Sequence, residues 1–229
     1  MTRRRRARRT EDKKQRRDDI LDAAERMIAR HGVAGVTFGH VAKQSRLSRS
    51  LIYVYFPTHD ELIYAVCVRG LVLLQARLEE AMKRYSRGLD QVLAMAAAYQ
   101  AFADDEPLYF KVISELEAKQ TDPSKMSAAE QSASDCGRLV LGLVAQTVQR
   151  GLKDGSIRTQ SKDPMLTALS VWAFTHGLIQ ISTSKRYMLE DDFSLTANQL
   201  LSHGFEVLRA SLAGGSNRSL PAAPARRRK

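Results

Sequence analysis

The sequence predicts an all-α protein, and three observations carry that prediction. Apolar residues recur at helical spacing along most of the 229-residue chain. No segment shows the strict alternation of a β-strand above noise. Gly32, Gly88, Pro107 and Pro164 fall at or near the ends of the apolar-periodic segments, where helices usually stop or start. We expect about nine helices, of which the first three form a small N-terminal group.

The first three helices are predicted from periodicity and from their capping residues. One face of the first helix carries, at helical spacing, Ile20, Ala24, Met27, Ile28 and His31. Gly32 then ends this helix in the usual C′ role. Thr37 and Ser48 are good N-caps for the second and third helices. Pro57 ends the third helix, because the residue before a proline is biased away from the α region.

The second and third helices are joined by a tight turn, which is the spacing of a helix-turn-helix. The third lies within "LSRSLIYVYF", residues 47–56, where Ile52 and Phe56 share one face. We expect that face to be buried against Ile20, Ala24, Val41 and Leu62. Arg49 and Tyr53 then project from the domain, where they can contact base edges. The alternative is a plain three-helix subdomain with tyrosines at its rim.

The charge of the chain is concentrated at its two ends. The net charge is +11, of which residues 1–17 contribute +8 and residues 226–229 contribute +4, so the remainder is nearly neutral. We expect a disordered basic arm over residues 1–15 and a disordered basic tail, rich in Gly, Ser and Pro, over residues 214–229. Basic ends suit a nucleic acid. Alternatively, the basic ends keep the protein in solution or bind another anionic surface.

Other classes of protein find little support in the sequence. Cys67 and Cys136 have neither disulfide-framework nor metal-ligand spacing, which favours a reducing cytoplasm. His176 and His203 are not accompanied by a set of carboxylates or cysteines that would complete a metal site. No apolar run reaches the ~18 residues of a membrane span. No catalytic triad, phosphate-binding loop or paired carboxylate is evident, so we expect no enzyme, cofactor, metal site or membrane association.

One long segment has a specific resemblance. The stretch "ILDAAERMIARHGVAGVTFGHVAKQSRLSRSLIYVYFPTHDELIYAV" resembles the N-terminal domain of TetR-family transcriptional regulators. Further on, "GLKDGSIR" and "DPMLTALSVWAFTHGLIQI" are similar, more loosely, to the end of that family's seventh helix and to its eighth. The resemblance implies a DNA-binding domain over residues 16–62 and an effector-binding and dimerisation domain over residues 63–213. It also implies a cytoplasmic homodimer that binds a palindromic operator on double-stranded DNA.

Matching positions with the family pattern identifies residues of this chain that are expected to contact DNA. It implies phosphate contacts at Thr37, Ser48, Tyr55 and His59, and base contacts at Arg49, Ser50 and Tyr53. We assign His40, Lys43 and Arg46 to the same surface. The chain departs from the family pattern twice, with Arg46 where a turn glycine is usual and His59 where a lysine is usual. An arginine at positive φ costs roughly 1 kcal/mol, so either the turn is reshaped or Arg46 reaches a phosphate.

The effector and its contacts are the least specific part of the prediction. A small, mainly apolar ligand is expected among the aromatic residues of the larger domain, which we assign as Tyr99, Phe102, Phe110 and Trp172, with His176. The same residues would serve equally well as helical core. Dimerisation is expected through helices near 163–184 and 192–212, which are apolar on more than one face. In this family, ligand binding usually releases the operator, so the resemblance implies a repressor. An architectural DNA binder is the remaining alternative.

Overall fold

The computed structural model describes residues 3–119 and 122–214, with side chains from residue 11 onward. The described part is helical and contains no β-strand, which confirms the all-α prediction. Its nine α-helices are α1 (Arg3–His31), α2 (Phe38–Ser45), α3 (Arg49–Tyr55), α4 (His59–Met82), α5 (Gly88–Asp105), α6 (Pro107–Glu117), α7 (Ala128–Lys153), α8 (Pro164–Ser184) and α9 (Ala197–Leu212).

The helices form two compact units. The first consists of the residues up to Lys83 together with Ala97–Leu143, and the second of Arg84–Ala96 together with the residues from Val144. Helices α5 and α7 contribute to both units. The functional boundary predicted at residue 62 falls inside the first unit, because α4 packs against both α1 and α6.

The N-terminal core confirms the predicted faces of the first three helices. At most 2% of the surface is exposed for each of Ile20, Ala24, Val41, Ile52, Phe56 and Leu62. The hydroxyl of Thr37 accepts a hydrogen bond from the backbone N–H of His40, and that of Ser48 accepts one from Leu51, both at 3.2 Å. These caps satisfy N–H groups that have no partner within their own helices.

Helix α1 is longer than the sequence analysis expected. It begins at Arg3, so residues 3–15, predicted as a disordered arm, are helical. The physical reason is local propensity: Arg, Ala, Glu, Lys and Gln dominate this stretch, which has no glycine or proline. The predicted basic tail lies outside the described residues, apart from Gly214.

The second unit contains the two helices assigned to dimerisation. Helix α8 packs against α9, and a Cβ on Gly204 would come within 2.4 Å of the Leu178 side chain, so glycine allows the two helices to approach closely. The predicted start of α9 at residue 192 was wrong by five residues. Met188–Asp192 forms a separate π-helical turn, and Thr196 begins α9 with a capping box to Gln199.

Helix α8 has one packed and one open apolar face. It buries, among others, Ala168, Val171 and Ile179, while its exposed large apolar residues are Met165, Leu166, Leu169, Phe174 and Ile181. By length and composition alone it is the one described helix that could span a membrane, with a mean hydropathy of 1.2 and 33% of its window buried. The packing of α8 against α9 accounts for its buried face.

Candidate nucleic-acid interface and ligand cavity

The turn between α2 and α3 contains a residue in the left-handed conformation, and that residue is Arg46 and not a glycine. Arg46 adopts φ 58° and ψ 30° and caps the C-terminus of α2, where its N–H donates to the carbonyl of Ala42. The turn is therefore not reshaped by the arginine, and Arg46 retains the strained conformation with its side chain exposed.

Two substitutions separate backbone strain from charge at this turn. Both Arg46→Gly and Arg46→Ala remove the cation, but only glycine tolerates positive φ freely. We expect the glycine variant to be more stable than the alanine variant by roughly 1 kcal/mol, with equal losses of DNA affinity. Urea denaturation of both variants measures the difference. Equal stabilities would show that position 46 is not strained.

The predicted DNA contacts lie on one continuous part of the chain, from the start of α2 to the start of α4. The exposed members are Thr37, His40, Lys43, Arg46, Ser48, Arg49, Ser50 and Tyr53, whereas Tyr55 and His59 are half-buried. Thr37, Arg49, Tyr53 and His59 line a common groove. Helix α3 thus presents its N-terminal turn and Tyr53 to solvent while Ile52 holds it in the core.

Tyr53 is positioned by contacts on both of its sides. Its ring packs edge-on against Phe38, with centroids 4.8 Å apart. On the exposed side, the guanidinium carbon of Arg49 lies 5.8 Å from the ring centroid, and Nη2 of Arg49 donates to the tyrosine hydroxyl at 3.4 Å. Helix α3 therefore holds Arg49 and Tyr53 together as one exposed pair, and a DNA contact at either residue stays a prediction.

His59 is the predicted phosphate contact that the geometry supports least. Its Nε2 is buried and has no hydrogen-bond partner, and its Nδ1 lies 3.6 Å from Oδ1 of Asp60. The side chain as a whole is 38% exposed and lines the groove with Thr37, Arg49 and Tyr53, so a phosphate contact at His59 stays a prediction.

Arg69 joins α4 to α1, the helix against which α2 packs. Its guanidinium contacts three carboxylates spaced along one face of α1: Asp18 at 2.8 Å, Asp22 at 2.6 Å and Glu25 at 3.1 Å. The arginine side chain is 26% exposed. Charge-assisted hydrogen bonds of this kind, partly withdrawn from water, fix the position of one helix on another.

Next to Arg69, helices α4 and α6 approach each other closely at Gly70. A Cβ on Gly70 would come within 2.9 Å of Cβ of Tyr109, so the glycine is needed where α6 crosses. Burial raises the pKa of Tyr109, and so does its hydrogen bond to Glu25. The neutral phenol therefore donates to a carboxylate that also binds Arg69, and α1, α4 and α6 meet at one polar junction.

A cavity of about 220 Å³ lies between α4, α6 and the first half of α7. Tyr64, Cys67 and Leu71 line it from α4, and Ile113, Leu116 and Glu117 from α6. The α7 side contributes Glu130, Ala133, Ser134 and Gly137, and Met126 precedes that helix. Apolar walls with a few polar groups are typical of a ligand site.

Burial changes the acid–base properties of this cavity. Partial withdrawal of the carboxyl group from water raises the pKa of Glu117 to about 7, although the residue as a whole is exposed. Burial, and a hydrogen bond to Glu130, raise the pKa of Tyr64 to about 12. Burial first, and then the negative charge of Glu117, raise the pKa of the Cys67 thiol to about 12. Near neutral pH, Tyr64 and Cys67 are therefore uncharged and Glu117 is poised between its two forms.

Comparison with known proteins gives the family. Residues 20–66 match the profile described as bacterial regulatory proteins, tetR family. Residues 92–216, more than half of the chain, match the profile described as tetracyclin repressor-like, C-terminal domain. The chain belongs to the TetR family. It is thus a helix-turn-helix DNA-binding regulator with a C-terminal ligand-binding domain.

Individual relatives of this TetR-family protein are distant. An uncharacterized HTH-type transcriptional regulator, YhgD of Bacillus subtilis, is 25% identical over 65% of this chain and 74% of its own. The regulator FadR from Bacillus subtilis, solved with stearoyl-CoA, is 16% identical, covers 87% of this chain and 98% of its own, and has a TM-score of 0.64. A regulator from Saccharomonospora viridis, solved with choline, is 20% identical, covers 85% and 96%, and has a TM-score of 0.63.

The ligand contacts predicted for this TetR-family chain do not line the cavity. Tyr99, Phe102 and Phe110 are each at most 7% exposed and pack ring to ring in the core of the first unit. Trp172 and His176 lie half-buried on α8, with ring centroids 6.0 Å apart, and burial lowers the pKa of His176. A ligand contact at any of these five residues stays a prediction.

The cavity residues were missed by sequence reasoning, although one signal was present. Phe110, Ile113 and Glu117 follow the helical spacing i, i+3, i+7, so a carboxylate occupies a core-facing register of α6. Glu130 precedes Ala133 and Gly137 at the same spacing on α7. An acid at an apolar register marks an ionisable group beside the core, and ionisable groups with perturbed pKa values are enriched at functional sites.

Proposed function

We propose that the protein is a cytoplasmic homodimeric repressor that binds a palindromic operator and releases it when a small ligand fills the α4–α6–α7 cavity. One observation carries this proposal: α4 contacts the cavity and the DNA-binding helices with opposite faces. Cys67 lines the cavity and Arg69 binds α1. Because these residues are two positions apart in the helix, their side chains point about 200° apart around its axis. The proposal includes no catalytic step.

The expected mechanism is a shift in the position of α4. A ligand held between Cys67, Leu71 and α6 favours one placement of α4. Arg69 transmits that placement to α1, against which α2 packs, and so to the recognition helix α3. Two recognition helices fit half-sites about 34 Å apart, and a change in their spacing weakens binding. Only a ligand with different affinities for the two states drives this change.

The ligands of the relatives do not decide the ligand of this protein. One relative was solved with stearoyl-CoA, a long anionic thioester, and another with choline, a small cation. Both share the fold with this chain at identities of 20% or lower. The chemistry of the effector therefore has to be inferred from the cavity of this chain.

A homodimer is supported by the open apolar face of α8. Leu166, Leu169 and Ile181 are each 39% exposed or more, and Val207 on α9 is 43% exposed. A second copy of the same face would cover these residues, and two-fold pairing of two helices from each subunit gives a four-helix bundle.

One substitution tests this interface. Leu169→Glu places a charge on the exposed face of α8 without touching its packed face, so we expect a folded monomer in place of the dimer. Light scattering measures the mass and circular dichroism the helicity. Leu139→Glu, on an exposed leucine of α7, is the matched control and should remain dimeric. A monomeric wild-type protein, or a dimeric Leu169→Glu variant, would contradict the proposal.

The operator itself is the test of the proposed function. Binding sites selected from random DNA should converge on a short palindrome, and a footprint should be confined to it. An architectural DNA binder would instead yield no preferred sequence and diffuse protection. That outcome would overturn the proposal of an operator-specific repressor.

A further inference from the structure

We propose that the α4–α6–α7 cavity takes a small organic cation, either a protonated amine or a quaternary ammonium, with an apolar body. The inference rests on the proposed function, which makes this cavity the effector site. It deepens that function by naming the class of ligand. It is carried by the charge and the size of the cavity.

The charged groups of the cavity are all acidic. Glu117 reaches it from α6 and Glu130 from α7, and none of the described residues that line it is Lys, Arg or His. An anionic ligand would add negative charge beside Glu130 and the ionised fraction of Glu117, and no lining cation would balance it. A cation would face two carboxylates from opposite helices, in surroundings that weaken Coulomb attraction less than water does.

Two cations lie next to the lining, and each is paired with a carboxylate: Lys119 with Asp60, and Arg138, which donates to the hydroxyl of the lining residue Ser134, with Asp135. Lys119, near the end of α6, lies 3.7 Å from Asp60 and 5.8 Å from the centroid of the Tyr64 ring, and is outside the lining. Its position shows that the Tyr64 ring accepts a cation. Cys67 and Cys136 are thiols whose pKa is raised by burial, so both are neutral at pH 7.

The rest of the cavity suits an apolar body. Leu71, Ile113, Leu116, Met126 and Ala133 supply its apolar walls. Its volume of about 220 Å³ is below the roughly 300–1,000 Å³ of pockets for drug-sized ligands. A single ring or a short alkyl group attached to the charged nitrogen is therefore the expected size, and a long acyl chain would not be enclosed.

Binding should be linked to a proton on Glu117. In the empty cavity its pKa is about 7, raised by burial, so much of Glu117 is protonated at neutral pH. A cation beside it favours the carboxylate and lowers that pKa, so binding below pH 7 expels a proton. Affinity should then rise about tenfold from about pH 6 to pH 8 and level off above the pKa of the empty protein.

The probe for this test is benzyltrimethylammonium, whose charge does not change with pH. Calorimetric titration of the full chain, repeated in buffers of different ionisation enthalpy, gives the affinity and the number of protons released. Phenylacetate is the anionic comparison, and neopentylbenzene, the neutral carbon isostere, is tested as a competitor. Glu117→Gln mimics the protonated acid. Glu115→Gln, on the same helix and outside the cavity lining, is the matched control.

We expect the cation to bind more tightly than either comparison compound, with proton release near pH 7. Glu117→Gln should lose the pH dependence and bind at least about tenfold more weakly at about pH 8, whereas Glu115→Gln should match the wild type. Three results would overturn the inference. The cation does not bind, phenylacetate or the hydrocarbon binds as tightly or more tightly, or the pH profile of Glu117→Gln is unchanged. If the cation binds as described but leaves operator affinity unchanged, the ligand class stands and the proposed release mechanism fails.

Discussion

Replacing Arg49 or Tyr53 by alanine should weaken operator binding by roughly 1–3 kcal/mol and affect random DNA much less. Both side chains are exposed on α3, and each holds the other in place through a hydrogen bond and a cation–ring contact. Because they act as a pair, the double variant should lose less than the sum of the single losses. Fluorescence anisotropy against the selected operator and against random DNA measures both affinities over a range of salt concentrations.

The N-terminal part of α1 provides the contrasting variant. Deleting residues 2–12 removes six arginines but no residue of the recognition helix. Both DNAs should then be bound more weakly, and the log–log salt slope should flatten by about 0.9 for each lost phosphate contact. Equal losses on both DNAs for Arg49→Ala and Tyr53→Ala would mean that α3 binds phosphates only, and the assignment of base contacts would be wrong.

Replacing Arg69 by alanine should uncouple the cavity from the DNA. The substitution leaves Asp18, Asp22 and Glu25 near one another without their common cation, so we expect a loss of roughly 1–3 kcal/mol in the free energy of unfolding. Ligand affinity should change little, because Arg69 lies on the face of α4 opposite to the cavity residue Cys67. The ligand should then shift operator affinity by much less than in the wild type.

Arg77 is the matched control on the same helix. It also binds two carboxylates, Asp105 at 2.7 Å and Glu106 at 2.8 Å, but these lie at the junction of α5 and α6. Arg77→Ala should therefore cost stability while preserving the effect of ligand on operator affinity. Urea denaturation and anisotropy, with and without ligand, distinguish the two arginines. Equal coupling in Arg69→Ala and wild type would show that α4 acts through other contacts.

The faces of the N-terminal helices could be predicted from the sequence because each depends on local spacing. Ile52 and Phe56 are one turn apart and both are buried, and Thr37 and Ser48 cap the helices that follow them. The sequence left open whether the turn at Arg46 would be reshaped, and the structure keeps the positive φ there.

The cavity could not be predicted in the same way, because tertiary packing brings its walls together. Leu71 and Glu130 are 59 positions apart, and neither has a motif that points to the other. The aromatic residues chosen instead, Tyr99, Phe102 and Phe110, are equally good core residues, and packing rather than composition decides between the two roles. The partners of Arg69 on α1 were likewise not evident from an arginine within the apolar stretch of α4.

Filling the α4–α6–α7 cavity should release the operator. The most direct measurement is the operator affinity of the wild-type protein with and without a ligand that calorimetry has shown to occupy the cavity. Coupling between two sites is typically 1–3 kcal/mol, so we expect at least a roughly fivefold weaker operator complex, and ligand binding weakened by the same factor on DNA. An operator affinity that is unchanged while the cavity is filled would contradict this expectation.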